Sequence, residues 1–267
     1  MLRSTKHNLW VSSKTKLADF FAELSRAPAR ALLLDYDGTL APFHAQRSSA
    51  LPYPEVSGLL KQVSGSQTRL VIATGRPAKE AALLLHGLRL EIWGSHGLER
   101  LLGDGSYERA ELDPDVANRL SEANHLLEEE DLNQQLERKP GGTAIHWRGL
   151  ESAKQIMGQV EKVWLSLSSR EGLRLMRFDG GVEIRASART KRDVVRTVLS
   201  EMGKGASIAY LGDDQTDEDA FAALQGFGLS VLVQEKYRPT VADLWIRPPD
   251  GLIAFLSEWV KACDGGS

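Results

Sequence analysis

Residues 32–40 read Leu-Leu-Leu-Asp-Tyr-Asp-Gly-Thr-Leu, and this stretch determines both the fold and the chemistry that we predict. The short apolar run predicts a buried β-strand that delivers two carboxylates into a Gly-Thr turn. Because side chains two residues apart in a strand point to the same side, Asp35 and Asp37 should project together from the strand end. An ordinary strand that ends in an Asx turn would show the same short pattern.

Two like charges at this distance repel each other unless a cation or a shared proton separates them. A hard divalent ion with oxygen ligands meets this need, and Mg2+ is the usual ion beside phosphates. Such a pair suits phosphoryl chemistry, in which one carboxylate attacks phosphorus while the other handles the leaving group's proton and then activates water. The stretch therefore favours a phosphotransferase.

The composition limits the classes of protein and of partner. The chain has 267 residues, enough for one large domain or a domain with a sizeable insertion. Its net charge of −3 argues against a general nucleic-acid binder. A single cysteine, Cys263, excludes an intrachain disulfide framework and fits a reducing compartment. No apolar run approaches the roughly 20 residues that span a bilayer, and no signal peptide is evident, so we expect a soluble, cytoplasmic protein without a membrane partner.

Strands alternate with helices in two parts of the chain, residues 27–110 and 188–267, which predicts one parallel sheet with right-handed crossovers. The intervening residues, 111–187, read as a long polar helix (roughly Pro114–Leu136), then a strand, a helix and two strands. They are typical of a small α+β insertion with its own sheet. Residues 1–26 are predicted to form a peripheral arm, because Leu17, Phe20 and Leu24 lie at helical spacing.

A second signal is the sequence Val-Ile-Ala-Thr-Gly-Arg-Pro at residues 71–77. A buried strand there ends at Thr74, and Pro77 suits the first position of a helix. The unpaired N–H groups and the positive end of the helix dipole favour an anion at this turn, and Thr74 can donate a further hydrogen bond. A plain strand-to-helix turn is the alternative.

A third signal is Gly-Asp-Asp-Gln-Thr-Asp-Glu-Asp at residues 212–219, which follows an apolar strand. Thr216 is predicted to cap a helix, with Asp219 placed as in a capping box. Capping does not account for Asp213 and Asp214, since charge at the end of a buried strand is costly without a partner. A cation held jointly with Asp35 would account for them.

Lys191 is predicted to neutralise the phosphoryl oxygens. A lysine at the start of a helix opposes the helix dipole, so its placement requires an anionic partner. Arg192 is adjacent and competes for the role, but the compact ammonium of Lys191 is better suited to reach both Asp35 and a phosphate.

These motifs, in this order, resemble the haloacid dehalogenase superfamily, and in particular its trehalose-6-phosphate phosphatase branch. The resemblance spans roughly residues 30–260. It implies an α/β fold with a Rossmann-like parallel-sheet core and an inserted α+β cap domain that closes over the sugar. Its hallmarks are LDYDGTLAPF (34–43), ATGR (73–76), GSHGLE (94–99), ERK and HWR (137–148), VEIR (182–185) and GDDQTDEDAF (212–221).

The resemblance also implies roles for individual residues. Asp35 would be the nucleophile that forms an aspartyl-phosphate, and Asp37 the general acid and base. Thr74 and Lys191 would bind the phosphoryl group. Mg2+ would lie on Asp35, on the backbone carbonyl of Asp37 and on Asp213, with Asp214 or Asp217 in the outer shell of ligands.

From the cap, Glu137, Lys139 and Glu183 match the positions that grip the disaccharide hydroxyls, and Arg76, His96 and Arg148 are further candidates near the mouth of the cleft. Each has an alternative role. Glu137 and Lys139 would be solvated if they ended the polar helix. Glu183 would face water if Val182 and Ile184 point into the core. His96 would merely cap a turn. Where the branch usually has a proline and a Lys-Gly pair after VEIR, this chain has Ala-Ser-Ala-Arg-Thr-Lys-Arg (186–192).

The function expected from the resemblance is Mg2+-dependent hydrolysis of trehalose 6-phosphate through an aspartyl-phosphate. The alternatives are a sister phosphatase for another glycoside phosphate, such as glucosylglycerol phosphate or mannosyl-3-phosphoglycerate, and a non-catalytic regulatory subunit that binds a sugar phosphate. A functional association with a sugar-phosphate synthase stays open.

Overall fold

The structure is a computed structural model in which residues 14–44, 46–178 and 180–265 are described. The chain divides into two compact units. The larger unit contains the residues up to 107 and those from 190 onward, and the smaller unit is Glu108–Arg189. The predicted insertion, 111–187, begins three residues later and ends two residues earlier than this smaller unit. Of the predicted arm, residues 1–13 lie outside the described residues.

The larger and smaller units draw on the same run of helices and strands. In chain order these are α1 (Lys14–Arg26), β1 (Arg30–Leu34), α2 (Pro54–Gly65), β2 (Thr68–Ala73), α3 (Ala78–Leu84), β3 (Glu91–Gly94), β4 (Glu99–Leu101), β5 (Tyr107–Arg109), α4 (Pro114–Glu129), β6 (Leu136–Lys139), β7 (Gly142–His146), α5 (Ala153–Ser166), β8 (Leu173–Phe178), β9 (Gly181–Ala186), α6 (Lys191–Met202), β10 (Ser207–Gly212), α7 (Glu218–Leu224), β11 (Leu229–Val233), β12 (Leu244–Ile246) and α8 (Asp250–Asp264).

Eight strands of the described chain form one sheet in the order β12-β11-β10-β1-β2-β3-β4-β5. The strands from β12 to β3 pair in parallel, and β4 runs antiparallel to β3. A second sheet, β6-β7-β9-β8, is antiparallel throughout. The predicted α/β class, with a Rossmann-like parallel core and a separate α+β insertion, is confirmed.

The central strand β1 is buried on both faces, which explains its continuous apolar sequence. Leu32 and Leu34 pack with α1, α2 and α8 on one face. Ala31 and Leu33 pack with α6 and α7 on the other. This alternation is the period-two geometry of a strand, and it builds a layer of helices on each side of the sheet.

The register of the parallel strands brings three strand ends together. Leu34, the last residue of β1, lies beside Ile72 of β2 and Leu211 of β10. The residues that follow these strands therefore leave the sheet at the same edge. Ligands of open α/β sheets bind at this carboxyl edge, where the strand order reverses.

In the smaller unit, α4 and α5 supply apolar side chains to a core that also contains Ile145, Val182 and Ile184 of the sheet. The predicted helix Pro114–Leu136 is too long, because α4 ends at Glu129 and Leu136–Lys139 is strand β6. Pairing of β6 with β7 overrides the helix propensity of Glu and Lys. Glu137 and Lys139 therefore lie on a strand and not at the end of a helix.

None of the helices in the described ranges combines the length and the apolar character that a membrane crossing requires.

Trp259 of α8 provides a test of the packing on one face of the large sheet. Its side chain is fully buried, its ring lies against Phe20 and Phe255, and its indole N–H donates to Thr68 Oγ1 at 3.1 Å. We expect Trp259→Ala to lower the free energy of unfolding by about 3–5 kcal/mol, because the cavity cannot collapse fully. Urea titration followed by circular dichroism measures this.

The matched control is Leu83→Ala on α3, since Leu83 is 80% exposed. Its effect should stay within about 0.5 kcal/mol. Equal effects of the two substitutions would contradict the packing described for Trp259.

Candidate active site

Three buried carboxylates converge at the carboxyl edge of the large sheet. Asp35 follows β1, Asp213 follows β10, and Asp217 directly precedes α7. One oxygen from each lies within 4.8 Å of the other two, and all three residues are at most 4% exposed. Like charges at this distance and depth require a compensating cation.

Lys191 supplies a cation within the chain. Its Nζ lies 2.7 Å from Asp35 Oδ1 and 2.7 Å from Asp217 Oδ1, and its side chain is 2% exposed. Burial acts to lower the pKa of this ammonium, but Asp217 and Asp35 outweigh it and the pKa is raised. The lysine is the first residue of α6, whose start is fixed by a capping box between Thr190 and Asp193.

Asp217 has all of its acceptor capacity in use. Oδ1 accepts from Lys191 and, at 2.6 Å, from the Tyr210 hydroxyl, while Oδ2 accepts from the backbone N–H groups of Asp213 and Asp214 at 3.1 Å each. A carboxylate offers about four lone-pair sites, so these four bonds saturate it. Asp217 therefore shapes the loop after β10, and Asp35 and Asp213 are the carboxylates better placed to coordinate a metal ion.

The pKa values of Asp35 and Asp213 reflect this crowding. Burial, opposed by Lys191, raises the pKa of Asp35 to about 7. Burial and then Asp35 itself raise the pKa of Asp213 well above its usual range. Gly38, at φ +84°, lets the Asp213 carboxylate approach so closely that a Cβ on Gly38 would lie 2.1 Å from Asp213 Oδ2. A divalent ion with oxygen ligands fits this donor set.

Asp214 forms an Asx turn. Its Oδ1 accepts from the backbone N–H of Thr216 at 2.7 Å and from the Thr216 hydroxyl at 2.6 Å. Burial acts to raise the pKa of Asp214, but Lys191 and the two bonds from Thr216 outweigh it and lower the pKa. The predicted capping box of Thr216 and Asp219 is wrong, because α7 begins only at Glu218 and Thr216 donates backwards to Asp214.

Asp37 lies beyond the end of β1 and forms a bidentate pair with Arg76. Arg76 Nε lies 2.7 Å from Asp37 Oδ2, and Arg76 Nη2 lies 2.7 Å from Asp37 Oδ1. The same guanidinium, 3% exposed, donates to Glu80 at 2.6 Å and lies over the Tyr36 ring. Asp35 and Asp37 thus have different cations as partners, and Arg76 is engaged within the larger unit.

Thr74 and His96 meet in a pair of interlocked loops. The Thr74 hydroxyl accepts from the backbone N–H of Arg76 at 3.1 Å, and its carbonyl accepts from the backbone N–H of His96 at 2.9 Å. His96 is buried at φ +57°, and a Cβ on Gly75 would lie 2.7 Å from its ring. The imidazole therefore packs on the loop that follows β2, which goes beyond capping a turn.

In the smaller unit, Lys139 and Glu183 form a buried ion pair. Lys139 Nζ lies 3.1 Å from Glu183 Oε1, and each side chain is 6% exposed. Glu137 Oε2 lies 2.8 Å from His146 Nε2. The register places Glu137 and Glu183 on either side of Ala144, on one face of the sheet. The alternative in which Glu183 faces water is wrong, because Lys139 pairs with it across the strands. Arg148 is half-buried, beside Gly180.

Sequence reasoning missed the part played by Tyr210 and treated Asp217 mainly as a helix-terminal acid. A hydroxyl in an otherwise apolar buried strand is a usable signal, since a buried phenol normally has a hydrogen-bond partner. The partner itself, Asp217, becomes visible only in three dimensions.

Gly212 tests the close packing of this loop. A Cβ at Gly212 would lie 2.3 Å from Asp217 Cγ, so Gly212→Ala must displace the saturated carboxylate. We expect it to lower the free energy of unfolding by about 1–3 kcal/mol, as overpacking does. Gly58→Ala in the middle of α2, where a Cβ meets nothing within 4 Å, should instead stabilise by about 0.5–1 kcal/mol. Urea midpoints of both variants test this, and a neutral Gly212→Ala would contradict it.

Comparison with known proteins supports a specific family. The family model for trehalose-phosphatase matches residues 33–242. A probable trehalose-phosphate phosphatase C of Arabidopsis thaliana is 25% identical over 94% of this chain and 84% of its own length. A trehalose-phosphate phosphatase of Mycobacterium marinum is 29% identical over 78% of this chain.

The solved C-terminal domain of C. albicans trehalose-6-phosphate phosphatase has the same fold, with a TM-score of 0.77 and 18% identity over 92% of this chain and 97% of that domain. The chain spans only 54% of the mycobacterial relative's length. The family model covers most of the chain and includes the residues of the carboxylate cluster. The chain belongs to the trehalose-phosphatase family of phosphoric monoester hydrolases.

Proposed function

We propose that the protein hydrolyses trehalose 6-phosphate to trehalose and phosphate, with Mg2+ as cofactor and an aspartyl-phosphate on Asp35 as intermediate. The observation that carries this proposal is the buried cluster in which Lys191 bridges Asp35 and Asp217 beside Asp213. Family membership supplies the substrate. The cluster supplies a nucleophile, a cation and oxygen ligands at one edge of the sheet.

The charges favour a divalent ion. When Asp35, Asp213 and Asp217 are all ionised, Lys191 cancels one of three negative charges and two remain. Asp35 and Asp213, with the backbone carbonyl of Asp37 and with Asp214 nearby, would hold Mg2+. When bound, the ion supplies positive charge that favours ionised carboxylates and stabilises the phosphoryl oxygens.

Asp35 attacks phosphorus with one carboxylate oxygen. The new Asp35–phosphorus bond forms as the bond between phosphorus and the sugar oxygen breaks, and Asp37 donates a proton to that leaving oxygen. A water molecule then gives a proton to Asp37 and attacks phosphorus, which breaks the bond to Asp35 and releases phosphate. Asp37 thus returns to its protonated form, and Asp35 to its carboxylate, after each turnover.

Proton transfer by Asp37 requires that its bidentate pair with Arg76 open or loosen. Paired with a guanidinium on both oxygens, Asp37 has no proton to donate. We infer that binding of the phosphorylated substrate draws Asp37 toward the leaving oxygen while Arg76 keeps its contact with Glu80.

Lys191 and Thr74 stabilise the phosphoryl group. An ammonium has three N–H bonds, and within the described residues two of those on Lys191 point to Asp35 and Asp217. The third is the donor for a phosphoryl oxygen. The Thr74 hydroxyl accepts from the Arg76 N–H, which leaves its own hydrogen to donate. Charge stabilisation of this kind is the main source of catalysis in phosphoryl transfer.

Glu137, Lys139 and Glu183 of the smaller unit, with His96 and Arg148, are proposed to bind the sugar hydroxyls. Charged side chains in fixed ion pairs are suited to this task, because a hydroxyl can both donate to a carboxylate and accept from an ammonium. A cytoplasmic location is also proposed, on the reducing compartment that the single cysteine fits. The association with a synthase remains a prediction.

The experiment that tests the function is phosphate release with Mg2+ from trehalose 6-phosphate, glucose 6-phosphate, sucrose 6-phosphate and glucosylglycerol phosphate at equal concentrations. Preference for trehalose 6-phosphate supports the proposal. Release from another glycoside phosphate alone would reassign the substrate, and release from none would favour the regulatory alternative.

Asp35→Asn tests the nucleophile. We expect turnover of trehalose 6-phosphate to fall by at least about a thousandfold, because an amide cannot form the acyl phosphate. The melting temperature should show that the variant is folded. Asp243→Asn, a carboxylate that accepts from Ser230 at a distance from the cluster, is the control and should retain turnover. Near wild-type turnover of Asp35→Asn would overturn the mechanism.

Glu183→Ala tests sugar recognition. It should raise KM for trehalose 6-phosphate about tenfold or more, since a hydrogen bond to a charged group contributes about 1.5–3 kcal/mol. KM for p-nitrophenyl phosphate, which has no sugar, should change much less. The ratio of the two KM values does not depend on the fraction of folded enzyme, so any loss of stability cancels. Glu161→Ala removes an exposed pair with Arg177 in the same unit and should leave the ratio unchanged. Equal shifts for both substrates would remove Glu183 from the recognition set.

A further inference from the structure

The loop between β11 and β12 holds the backbone carbonyls of the two aspartates that follow β10. Gln234 Nε2 donates to the carbonyl of Asp213 at 2.8 Å. Arg238 donates to the same carbonyl from Nη2 at 3.2 Å and from Nε at 3.3 Å, and to the carbonyl of Asp214 from Nη2 at 2.7 Å. Two consecutive carbonyls of the carboxylate cluster are thus bound by one guanidinium.

The same two residues are held from their other side. Asp217 Oδ2 accepts from the backbone N–H groups of Asp213 and Asp214 at 3.1 Å each. With N–H groups and carbonyls both engaged, the backbone of these residues has little freedom to rotate. The direction of the Asp213 side chain is therefore set by Asp217 on one side and by Arg238 on the other.

Arg238 acts here through the geometry of its hydrogen bonds. Its charge is matched by Glu218, which pairs with Nη1 and also accepts from the backbone N–H of Val241 at 2.9 Å. Nη1 donates in addition to the carbonyl of Pro239 at 3.1 Å. A planar guanidinium can serve several acceptors in fixed directions at once, whereas a lysine ammonium on a flexible stem cannot reproduce that fork.

We propose that Arg238 is a positioning residue for the divalent ion. By fixing the carbonyls of Asp213 and Asp214, it holds the Asp213 carboxylate beside Asp35, where the ion is expected. This inference rests on the proposed Mg2+ dependence. Glu218 anchors Arg238, and Gln234 adds a further bond to the carbonyl of Asp213.

The test is binding of Mg2+ alone to the full chain, without substrate, by isothermal titration calorimetry. Removal of an outer partner of a metal ligand typically weakens metal affinity by about 10- to 100-fold, so Arg238→Ala should raise the Mg2+ dissociation constant by this factor. Turnover should also shift to higher Mg2+ concentrations, while kcat at saturating Mg2+ recovers to within a few-fold of wild type. Arg238→Lys should bind Mg2+ almost as poorly as Arg238→Ala.

The matched control is Arg100→Ala. Arg100 is as buried as Arg238 (17% against 21% side-chain exposure) and pairs with Glu91 and Glu201, away from the carboxylate cluster. It should lower the melting temperature without changing Mg2+ affinity. A purely structural role for Arg238 would give the same result, and Mg2+ affinity within twofold of wild type would overturn the proposal.

Gln234→Leu decides the matter if Arg238→Ala does not fold. It removes one bond to the Asp213 carbonyl, and Mg2+ binding should weaken several-fold, whereas unchanged binding would overturn the proposal. Failure of the wild-type chain to bind Mg2+ would remove the proposed cofactor along with this inference. That outcome differs from wild-type binding with an unaffected Arg238→Ala, which removes the inference alone.

Discussion

The carboxyl edge of the large sheet depends on one buried ammonium group. Asp35, Asp213 and Asp217 are nearly inaccessible to water, so their charges cannot be screened by solvent. Lys191 offsets part of that repulsion and bonds to two of them. Its own burial would be unfavourable without those partners. The cluster is therefore mutually dependent, and the surrounding loops are built to maintain it.

Small residues and saturated hydrogen bonds maintain the cluster. Gly38 and Gly212 leave room for the carboxylates of Asp213 and Asp217 at distances that no Cβ would allow. Asp217 uses its four acceptor sites on Lys191, Tyr210 and two backbone N–H groups. Such preorganisation means that little rearrangement is needed when charge develops on a phosphoryl group.

Much of the fold was accessible from sequence, because its signals are local. The apolar runs of β1, β2 and β10 and the acids that follow them predicted a parallel sheet with charged groups at one edge. The end of α4 was misplaced, since β6 is stabilised by pairing with β7 and its Glu and Lys residues also suit a helix. The start of α7 was misplaced, since Thr216 bonds to Asp214 in place of capping.

The partners within the candidate site were largely beyond sequence reasoning. Strand ends predicted Asp35 and Asp213, and an unfavourable charge at a helix start predicted Lys191. The pairing of Asp37 with Arg76, of Lys139 with Glu183, and of Arg238 with two carbonyls joins residues that are distant in the chain or lie on different loops. Nothing in residue type or spacing specifies such contacts, because several carboxylates compete for each cation.

The position of β1 in the sheet has a consequence for synthesis of the chain. β1 pairs with β2 on one side and with β10 on the other, and Lys191 is separated from Asp35 by 156 residues. While a ribosome is still translating the smaller unit, the most apolar strand of the protein has one edge without its partner. Unpaired strand edges promote aggregation, and closing so long a loop is entropically unfavourable and slow. The nascent chain is thus most vulnerable between emergence of β2 and emergence of β10, and rapid, independent folding of the intervening unit would shorten that effective loop.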